Sequence, residues 1–366
     1  MAHDLAVIGG GIVGAAAAQR AADLGASVVL FDRRDAGRAT DAGAGIVGPA
    51  LNTRDLEPLL DLATAASRAY PELIDQLAAG SHDTGFERVG RLAVAIDGDE
   101  LDAFRGFADV VMERQQRAGH PTGHELLEVG PHEARQLYPV LGDVRAALLD
   151  TGAARVDGRK LREALLGAAR ESGAEVRSAS VDSIDAVAAD AEAVLIAGGA
   201  WSPRFGEELG VRIPVEPQRG QIAHLGVPPD FGDTAAWPML SLPSDQYQVS
   251  WPGGRIAVGA TRETGSGFAA RTTAAGVLAV LHEAIRASPG LSEAEVLEVR
   301  VGLRPVTPDL MPVIGRVPGS HVVVATGHGP TGLTTGPFSG RLAADLALGR
   351  SVEHDLSPFA VGRDFS

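Results

Sequence analysis

The apolar positions near the start of the chain follow a strand–helix–strand pattern. The apolar run at 5–8 predicts a buried parallel strand, and the Ala-rich stretch after it predicts a helix that stops near Gly25. A second apolar run, Val28–Phe31, predicts the next strand, and an aspartate follows it directly. Together these elements predict a βαβ unit.

Downstream, the pattern alternates between helices and strands and then changes. Helices are predicted at 55–79, 100–117 and Gly158–Glu171, and strands at 91–96, Ala146–Asp150, from 175 and at 193–197. Between 214 and 301, short strand-like runs are separated by Pro and Gly turns, with one helix at 272–287. That texture predicts a mixed, largely antiparallel sheet. An apolar strand at 321–325, a Gly- and Thr-rich loop at 327–336 and a helix that ends before Gly349 follow.

These elements predict an α/β fold in which the dinucleotide-binding domain is discontinuous. We expect a Rossmann-type domain formed by residues 1–85, 146–213 and 302–366. The mixed, largely antiparallel sheet forms an inserted substrate-binding domain, which we place at 86–145 and 214–301.

The composition limits which molecules the protein can bind and where in the cell it is expected. The net charge of −15 opposes binding to nucleic acid or to anionic lipid. No apolar stretch approaches the roughly 18–20 residues of a membrane span. The first strand begins soon after Met1, which leaves no room for a signal peptide. We therefore expect a soluble, cytoplasmic protein.

The chain contains no cysteine. This excludes disulfides, thiolate catalysis, cysteine-ligated metals and cofactors linked through cysteine. We expect no metal site.

The turn after the first predicted strand has the spacing of a phosphate-binding loop. Gly9, Gly11 and Gly14 stand at G-x-G-x-x-G positions, which suit a tight turn, close approach of a pyrophosphate and close packing of helix on strand. The helix N-terminus offers free N–H groups and a positive dipole end to phosphates. Asp32, at the end of the second strand, can accept hydrogen bonds from a ribose diol. The whole unit predicts a bound dinucleotide.

The kind of dinucleotide is less determined by this unit. The carboxylate of Asp32 repels a 2′-phosphate and disfavours NADP, although Arg33 and Arg34 follow it and weaken that inference. FAD and NAD both remain. A second glycine loop, ATGHGPTGLTTG at 325–336, lies between a buried strand and a helix. FAD often uses two such glycine loops, whereas NAD needs one. The alternative interpretation of the second loop is that it is only a structural βα turn.

Several motifs, taken in order, resemble one family of flavoproteins. They are VIGGGIVG with Asp32, VDGRKLREALLGAARESGAEV at 156–176, AVLIAGGAWSPRF at 193–205, PVEPQRGQI at 214–222, VGLRPVTPDLMPVIG at 301–315 and ATGHGPTGLTTGP at 325–337. Across nearly its whole length the chain resembles the D-amino acid oxidase-type family, which includes glycine and sarcosine oxidases and bacterial D-amino acid dehydrogenases.

The resemblance implies FAD as the cofactor. A link through cysteine is impossible and no histidine lies between His3 and His82, so we expect the FAD to be non-covalent. The resemblance implies that the pyrophosphate of FAD lies on the first glycine loop, its ribose at Asp32 and its adenine at Val181. The pyrimidine end of the flavin would lie near 327–333. The residues implied in cofactor binding are Gly9, Gly11, Ile12, Val13, Gly14, Asp32, Arg33, Thr40, Ala44, Gly45, Val181, Gly198, Trp201, Gly327, Gly329, Pro330, Thr331, Gly332 and Leu333.

The resemblance also implies a substrate site. Arg304 stands where the family pairs with the substrate carboxylate, through a bidentate guanidinium fork, and the alternative is a structural ion pair. Tyr247 matches a tyrosine that closes over substrate in some members, or is a half-buried strand tyrosine. His328 is a candidate base, or it orders the loop backbone. With Trp237 and Trp251, Tyr247 would form an apolar or aromatic wall that favours uncharged D-amino acids or N-alkyl amino acids over glycine.

The implied activity is oxidation of an amino acid or amine, of the D-amino acid or glycine/sarcosine type, to an imine by hydride transfer to flavin. Hydrolysis of the imine then gives an oxo acid. The alternatives are a secondary-amine (sarcosine- or proline-like) oxidase, the flavoprotein subunit of a multi-subunit amine dehydrogenase, and an NAD-binding regulatory protein. The electron acceptor can be oxygen, a quinone or a partner protein. The sequence leaves the oligomeric state open, and a homo-oligomer is one possibility.

Overall fold

The computed structural model describes residues 3–52 and 56–365. In chain order, the strands are β1 (His3–Ile8), β2 (Val28–Phe31), β3 (Ile46–Val47), β4 (Glu87–Arg88), β5 (Arg91–Ala95), β6 (Leu126–Val129), β7 (Ala146–Asp150), β8 (Ala154–Arg155), β9 (Glu175–Arg177), β10 (Ala191–Ile196), β11 (Glu216–Gly226), β12 (Met239–Ser241), β13 (Tyr247–Trp251), β14 (Arg255–Gly259), β15 (Glu295–Val306), β16 (Val313–Arg316) and β17 (Val322–Thr326).

The helices connect or cover these strands. They are α1 (Ile12–Asp23), α2 (Ala39–Ala42), α3 (Glu57–Ala79), α4 (Gly98–Ala118), α5 (Pro131–Leu137), α6 (Gly158–Glu171), α7 (Asp185–Ala188), α8 (Ala274–Ala287) and α9 (Gly332–Ala347). None of the helices in the described part of the chain is both long and apolar enough to cross a membrane.

The first sheet is the parallel core that the opening apolar runs predict. Its order is β16-β17-β10-β1-β2-β9, and every neighbouring pair is parallel except β16 with β17. Its strands are apolar without alternation because helices cover both faces. Helices α1, α6 and α9 pack together against one face. The predicted α/β class with a Rossmann-type sheet is confirmed.

The second sheet is mixed and mainly antiparallel, as predicted. Its order is β15-β11-β14-β13-β12-β5-β7-β6, with β12 and β5 as the parallel pair. One face packs against α5 and α8, and the other faces the parallel sheet. A small antiparallel sheet, β3-β8-β4, lies at the junction.

Strand pairing differs from the expected domain bounds at two points. Strand β7 begins at residue 146 yet pairs with β5 and β6 in the mixed sheet, and β15 continues in that sheet beyond residue 301. The division into domains itself stays a prediction, and its outer ends, residues 1 and 366, lie outside the described residues.

Most predicted elements are present, and several have the predicted bounds. Strand β2, strand β7 and helix α6 begin and end at the predicted residues. The helix predicted at 55–79 is α3, whose expected first residue lies outside the described residues.

The loop predicted at 327–336 is wrong in its second half, because α9 begins at Gly332. Its glycines serve packing rather than flexibility: a Cβ on Gly336 would lie 2.8 Å from Ile12 Cγ2 of α1. Residues 33–50 contain the short elements α2 and β3.

Candidate active site

A large cavity lies between the two main sheets. The space along its walls, including open solvent at the mouth, amounts to about 1610 Å³. It begins at the carboxyl ends of β1 and β2 and extends past those of β10 and β17 to the inner face of the mixed sheet. Ligands of open α/β sheets bind at this edge of the parallel strands.

The turn between β1 and α1 forms one end of the cavity. Gly9 has φ of +112°, and a Cβ there would lie 2.7 Å from the carbonyl carbon of Ala197. Gly11 is the N-cap of α1 and has no side chain to cap the helix, while the Ile12 N–H donates to Thr40 Oγ1 at 3.0 Å. The positive end of α1 therefore faces the cavity, as an anion site requires.

Asp32 is buried at the end of β2 and is already held in place. Arg38 Nη2 donates to its two carboxylate oxygens at 2.7 and 3.0 Å, and the Arg34 N–H donates to Oδ1 at 3.1 Å. A Cβ on Gly10 would lie 2.6 Å from Asp32 Oδ2, so this glycine makes room for the carboxylate. Oδ1 thus accepts two hydrogen bonds and Oδ2 one, so Oδ2 keeps a lone pair for a ligand hydroxyl. Arg33 instead pairs with Asp35 at 2.8 Å.

The start of α9 forms a second positive end facing the same cavity. His328, Gly329, Pro330, Gly332 and Leu333 line it there. His328 is 4% exposed, and burial lowers the pKa of its imidazole to about 4. Its Nε2 has no hydrogen-bond partner among the described residues. The ring is therefore neutral near pH 7, and one buried nitrogen is left to a ligand.

Arg304 lies on β15 at the far end of the cavity. Its Nη1 donates to the Thr261 carbonyl at 2.9 Å, and its guanidinium lies close enough to the Tyr247 phenol to affect the pKa of that group. No carboxylate within the described ranges forms an ion pair with it, and burial lowers the pKa of the guanidinium. A buried charge without a counter-ion is costly, which marks this position as one that an anionic ligand would complete.

The mixed sheet is shaped to hold that guanidinium. Gly220 on β11 pairs with Gly302 of β15, beside Arg304. A Cβ on Gly220 would lie 2.6 Å from Arg304 Nη2 and closer still to Nη1. The absence of a side chain at Gly220 therefore lets the guanidinium lie flat against β11.

Tyr247 opens β13 and lines the cavity beside Arg304. Burial raises the pKa of its phenol, and Arg304, Arg262 and Arg91 act against that rise. The neighbouring arginines can only donate, so none of them competes for the phenol proton, which is free to reach a ligand.

The structure brings most of the predicted site residues to one cavity. Those that line it are Gly9, Gly11, Ile12, Val13, Asp32, Arg33, Thr40, Ala44, Gly45, Val181, Gly198, Trp201, Tyr247, Arg304, His328, Gly329, Pro330, Gly332 and Leu333.

Three predicted residues, Gly14, Gly327 and Thr331, lie behind its walls. A Cβ on Gly14 would overlap the Gly9 carbonyl, and one on Gly327 would lie 2.8 Å from Thr307 Cγ2. Thr331 Oγ1 donates to the His328 carbonyl at 2.9 Å. These three contacts shape the loops that carry the lining residues.

The expected aromatic wall is wrong for its two tryptophans, neither of which lines the cavity. Trp237 packs edge-on against Tyr138, with ring centroids 5.2 Å apart. Trp251 lies four residues beyond Tyr247 on β13, roughly 13 Å along the strand, and carries Arg155 and Arg255 on its ring.

Sequence reasoning missed several lining residues. The polar ones among them are Asp35, Arg38, Ser180, Arg204, Arg262 and Thr326, and the glycines are Gly10, Gly43, Gly199, Gly220 and Gly302. Gly220 stands inside the motif PVEPQRGQI, so the motif marked its neighbourhood although not its function.

Comparison with known proteins identifies the family. The model of the FAD dependent oxidoreductase (DAO) family matches residues 4–346, and the chain belongs to this family. An uncharacterised oxidoreductase of Bacillus subtilis, YurR, is 38% identical over 96% of this chain and 97% of its own. The glycine oxidase of Geobacillus kaustophilus is 30% identical over 99% of this chain and 97% of its own. The crystal structure of iminodiacetate oxidase from Chelativorans sp. BNC1 has 35% identity and a TM-score of 0.88, over 98% of each chain.

The chain is thus an FAD-dependent oxidoreductase, and its own cavity fits that cofactor. Two uncapped helix N-termini face a single long cavity, as a dinucleotide with a distal ring system requires. The oriented carboxylate of Asp32 suits a ribose diol, and the buried Nε2 of His328 has no protein partner. The recognition of FAD and of the D-amino acid oxidase-type family is confirmed.

Proposed function

We propose that this FAD-dependent enzyme oxidises an amine that carries a carboxylate on the carbon beside its nitrogen. Substrates of this class are D-amino acids, glycine and N-substituted glycines such as sarcosine. The C–N bond loses two electrons and becomes an imine, and water then splits the imine into an oxo acid and ammonia or an amine. The observation that carries this proposal is Arg304, which is half-buried at the cavity wall and lacks an acidic partner among the described residues.

Arg304 suits the substrate carboxylate because of its shape as well as its charge. A guanidinium binds a carboxylate through two parallel hydrogen bonds, which fixes the direction of the Cα bond. The Thr261 carbonyl and Gly220 hold the guanidinium in one orientation. When bound, FAD supplies the acceptor for the two electrons.

Tyr247 completes the site beside Arg304. Its phenol stays protonated because burial raises its pKa, so it can donate a hydrogen bond to the bound carboxylate. His328 has no carboxylate partner among the described residues, and its low pKa makes the imidazole a weak base, so we do not assign it proton transfer from substrate. Its main-chain carbonyl accepts from Thr331 Oγ1 at the start of α9. The enzyme then acts mainly by orienting a substrate whose amine is neutral.

Two relatives support this class. Glycine oxidase and iminodiacetate oxidase act on amines with a carboxylate on the adjacent carbon. Iminodiacetate is a secondary amine, which favours the N-substituted glycines among the candidates. The oxidant that regenerates FAD is proposed to be oxygen, a quinone or a partner protein, with the last corresponding to a dehydrogenase subunit. A cytoplasmic location remains part of the proposal.

Anaerobic reduction of the flavin tests the proposal. The FAD-loaded protein is mixed with D-alanine, D-proline, glycine, sarcosine and iminodiacetate, and flavin absorbance is followed. Arg304→Lys keeps the positive charge but loses the bidentate fork, so it should weaken substrate binding by about 10- to 100-fold, the range expected of a hydrogen bond between charged groups. Its FAD content should not change.

Arg300→Lys is the matched control. Arg300 lies four residues earlier on β15, pairs with Glu298 at 2.6 Å and does not line the cavity. It should leave reduction unchanged. Normal kinetics of Arg304→Lys with every carboxylated amine would show that Arg304 is structural.

A further inference from the structure

A second arginine faces the same end of the cavity. Arg262 lines the wall beside Tyr247 and directly follows Thr261, whose carbonyl accepts from Arg304. Its side chain is 36% exposed, so a ligand can reach it. Tyr247 lies within electrostatic reach of both arginines.

The acidic partner of Arg262 is easily replaced. Asp245 lies 3.1 Å from Arg262 Nη2, and its side chain is 70% exposed. Ion pairs exposed to this degree stabilise a protein little, because water solvates both members. A carboxylate delivered inside the cavity can therefore take over the guanidinium of Arg262.

A third arginine, Arg91, adds positive potential behind Tyr247. Its Nε donates to Ser241 Oγ at 2.5 Å, and none of the described carboxylates forms an ion pair with it. Asp150, its partner across the strand pair, is engaged by His120 at 2.8 Å. Three guanidinium groups thus act on Tyr247, and Asp245 and Asp150 offset part of their charge. Of the three, Arg304 and Arg262 line the cavity.

We infer that Arg262 forms a second anion subsite and that the substrate is a dicarboxylic amine, with one carboxylate on Arg304 and the other on Arg262. This inference rests on the proposed function and narrows its substrate class. Arg304 orients the carbon that is oxidised, and Arg262 selects among amines by the group they carry at the other end.

Two matched pairs of substrates test the inference on the FAD-loaded enzyme. Iminodiacetate differs from sarcosine by one carboxylate, and D-aspartate differs from D-alanine in the same way. In anaerobic stopped flow, the dicarboxylate of at least one pair should reduce the flavin with about 10- to 100-fold higher efficiency, the range expected of a hydrogen bond between charged groups.

Variants assign that preference to Arg262. Arg262→Gln should remove most of the preference and leave the monocarboxylate of the pair nearly unaffected. Asp245→Asn should increase the preference, because it removes the competing carboxylate. Arg271→Gln is the control: it removes one positive charge from the same loop at an exposed position off the cavity.

The outcomes separate the inference from the proposed function. Equal efficiencies within both pairs, or an Arg262→Gln variant that slows both members equally, would overturn the second subsite while the first stands. If none of the carboxylated amines reduces the flavin, the proposed function fails and the second subsite fails with it.

Discussion

The most direct test of the site geometry is a single methyl group placed on β11. Gly220→Ala would put a Cβ 2.6 Å from Arg304 Nη2 and 2.7 Å from Cζ. Non-bonded heavy atoms settle at about 3.5–4.0 Å, so the guanidinium would have to withdraw by about 1 Å. It would then lose its fixed orientation against the Thr261 carbonyl.

The size of the effect follows from that displacement. A misplacement of about 1 Å in a group that orients substrate can cost about 100-fold in rate. A factor of 100 corresponds to about 2.7 kcal/mol, which lies within the 2–5 kcal/mol cost of breaking one side of a buried charge pair. Fold stability should change little, since alanine is tolerated in a strand at least as well as glycine.

The assay compares Gly220→Ala with Gly226→Ala on the same strand. A Cβ on Gly226 would lie 3.3 Å from Leu297 Cδ2, the end of a flexible side chain, and Gly226 does not line the cavity. Anaerobic stopped flow gives substrate Kd and the limiting rate, and absorbance gives FAD content. Only Gly220→Ala should lose substrate binding, with FAD retained in both. Wild-type kinetics in Gly220→Ala would refute the view that Arg304 must lie flat against β11.

Two further predictions concern the cofactor and His328. Acid precipitation should release all the flavin into the supernatant, and a yellow washed pellet would contradict non-covalent binding. Burial lowers the pKa of His328 from 6.5 to about 4, so the folded protein binds this proton less well than the unfolded chain, and stability falls as pH drops through that range. At about 1.4 kcal/mol per pH unit, wild type should lose about 3 kcal/mol more than His328→Asn between pH 7 and 4 in urea unfolding at fixed FAD. Parallel pH profiles would show that the histidine is not buried in its neutral form.

The parallel core could be predicted because its signal is local. The strands that open the chain are continuous apolar runs, and the glycines between them have fixed spacing. The start of α9 could not be predicted in the same way. Gly332 and Gly336 suggest a turn by composition, but Gly336 lies inside the helix, where contact with Ile12 of α1 requires a residue without a side chain.

The residues of the candidate site also fall into two groups, those that a local motif predicts and those that only the folded chain brings together. Residues that follow one another in a loop, such as Gly9 to Gly14, come together wherever that loop folds, so motif spacing predicts them. The contact between Gly220 and the Arg304 side chain depends on the register of β11 and β15. The hydrogen bonds between Arg38 and Asp32 depend on the path of the loop that joins these two residues. Register is set by packing of whole strands, which no short motif records.

The surroundings of Arg304 also explain how its charge is kept ready for a ligand. Burial opposes ionisation of Glu263, yet hydrogen bonds from Arg219, Gln221 and Thr261 lower the pKa of its carboxyl to about 2. Glu263 therefore stays ionised and anchors the loop whose Thr261 carbonyl holds Arg304. Its carboxylate is directed at Arg219 and not at Arg304. The ion pair between Arg219 and Glu263 thus fixes the loop. The neighbouring guanidinium of Arg304 has no carboxylate partner among the described residues, and an anionic substrate is the group that would neutralise it.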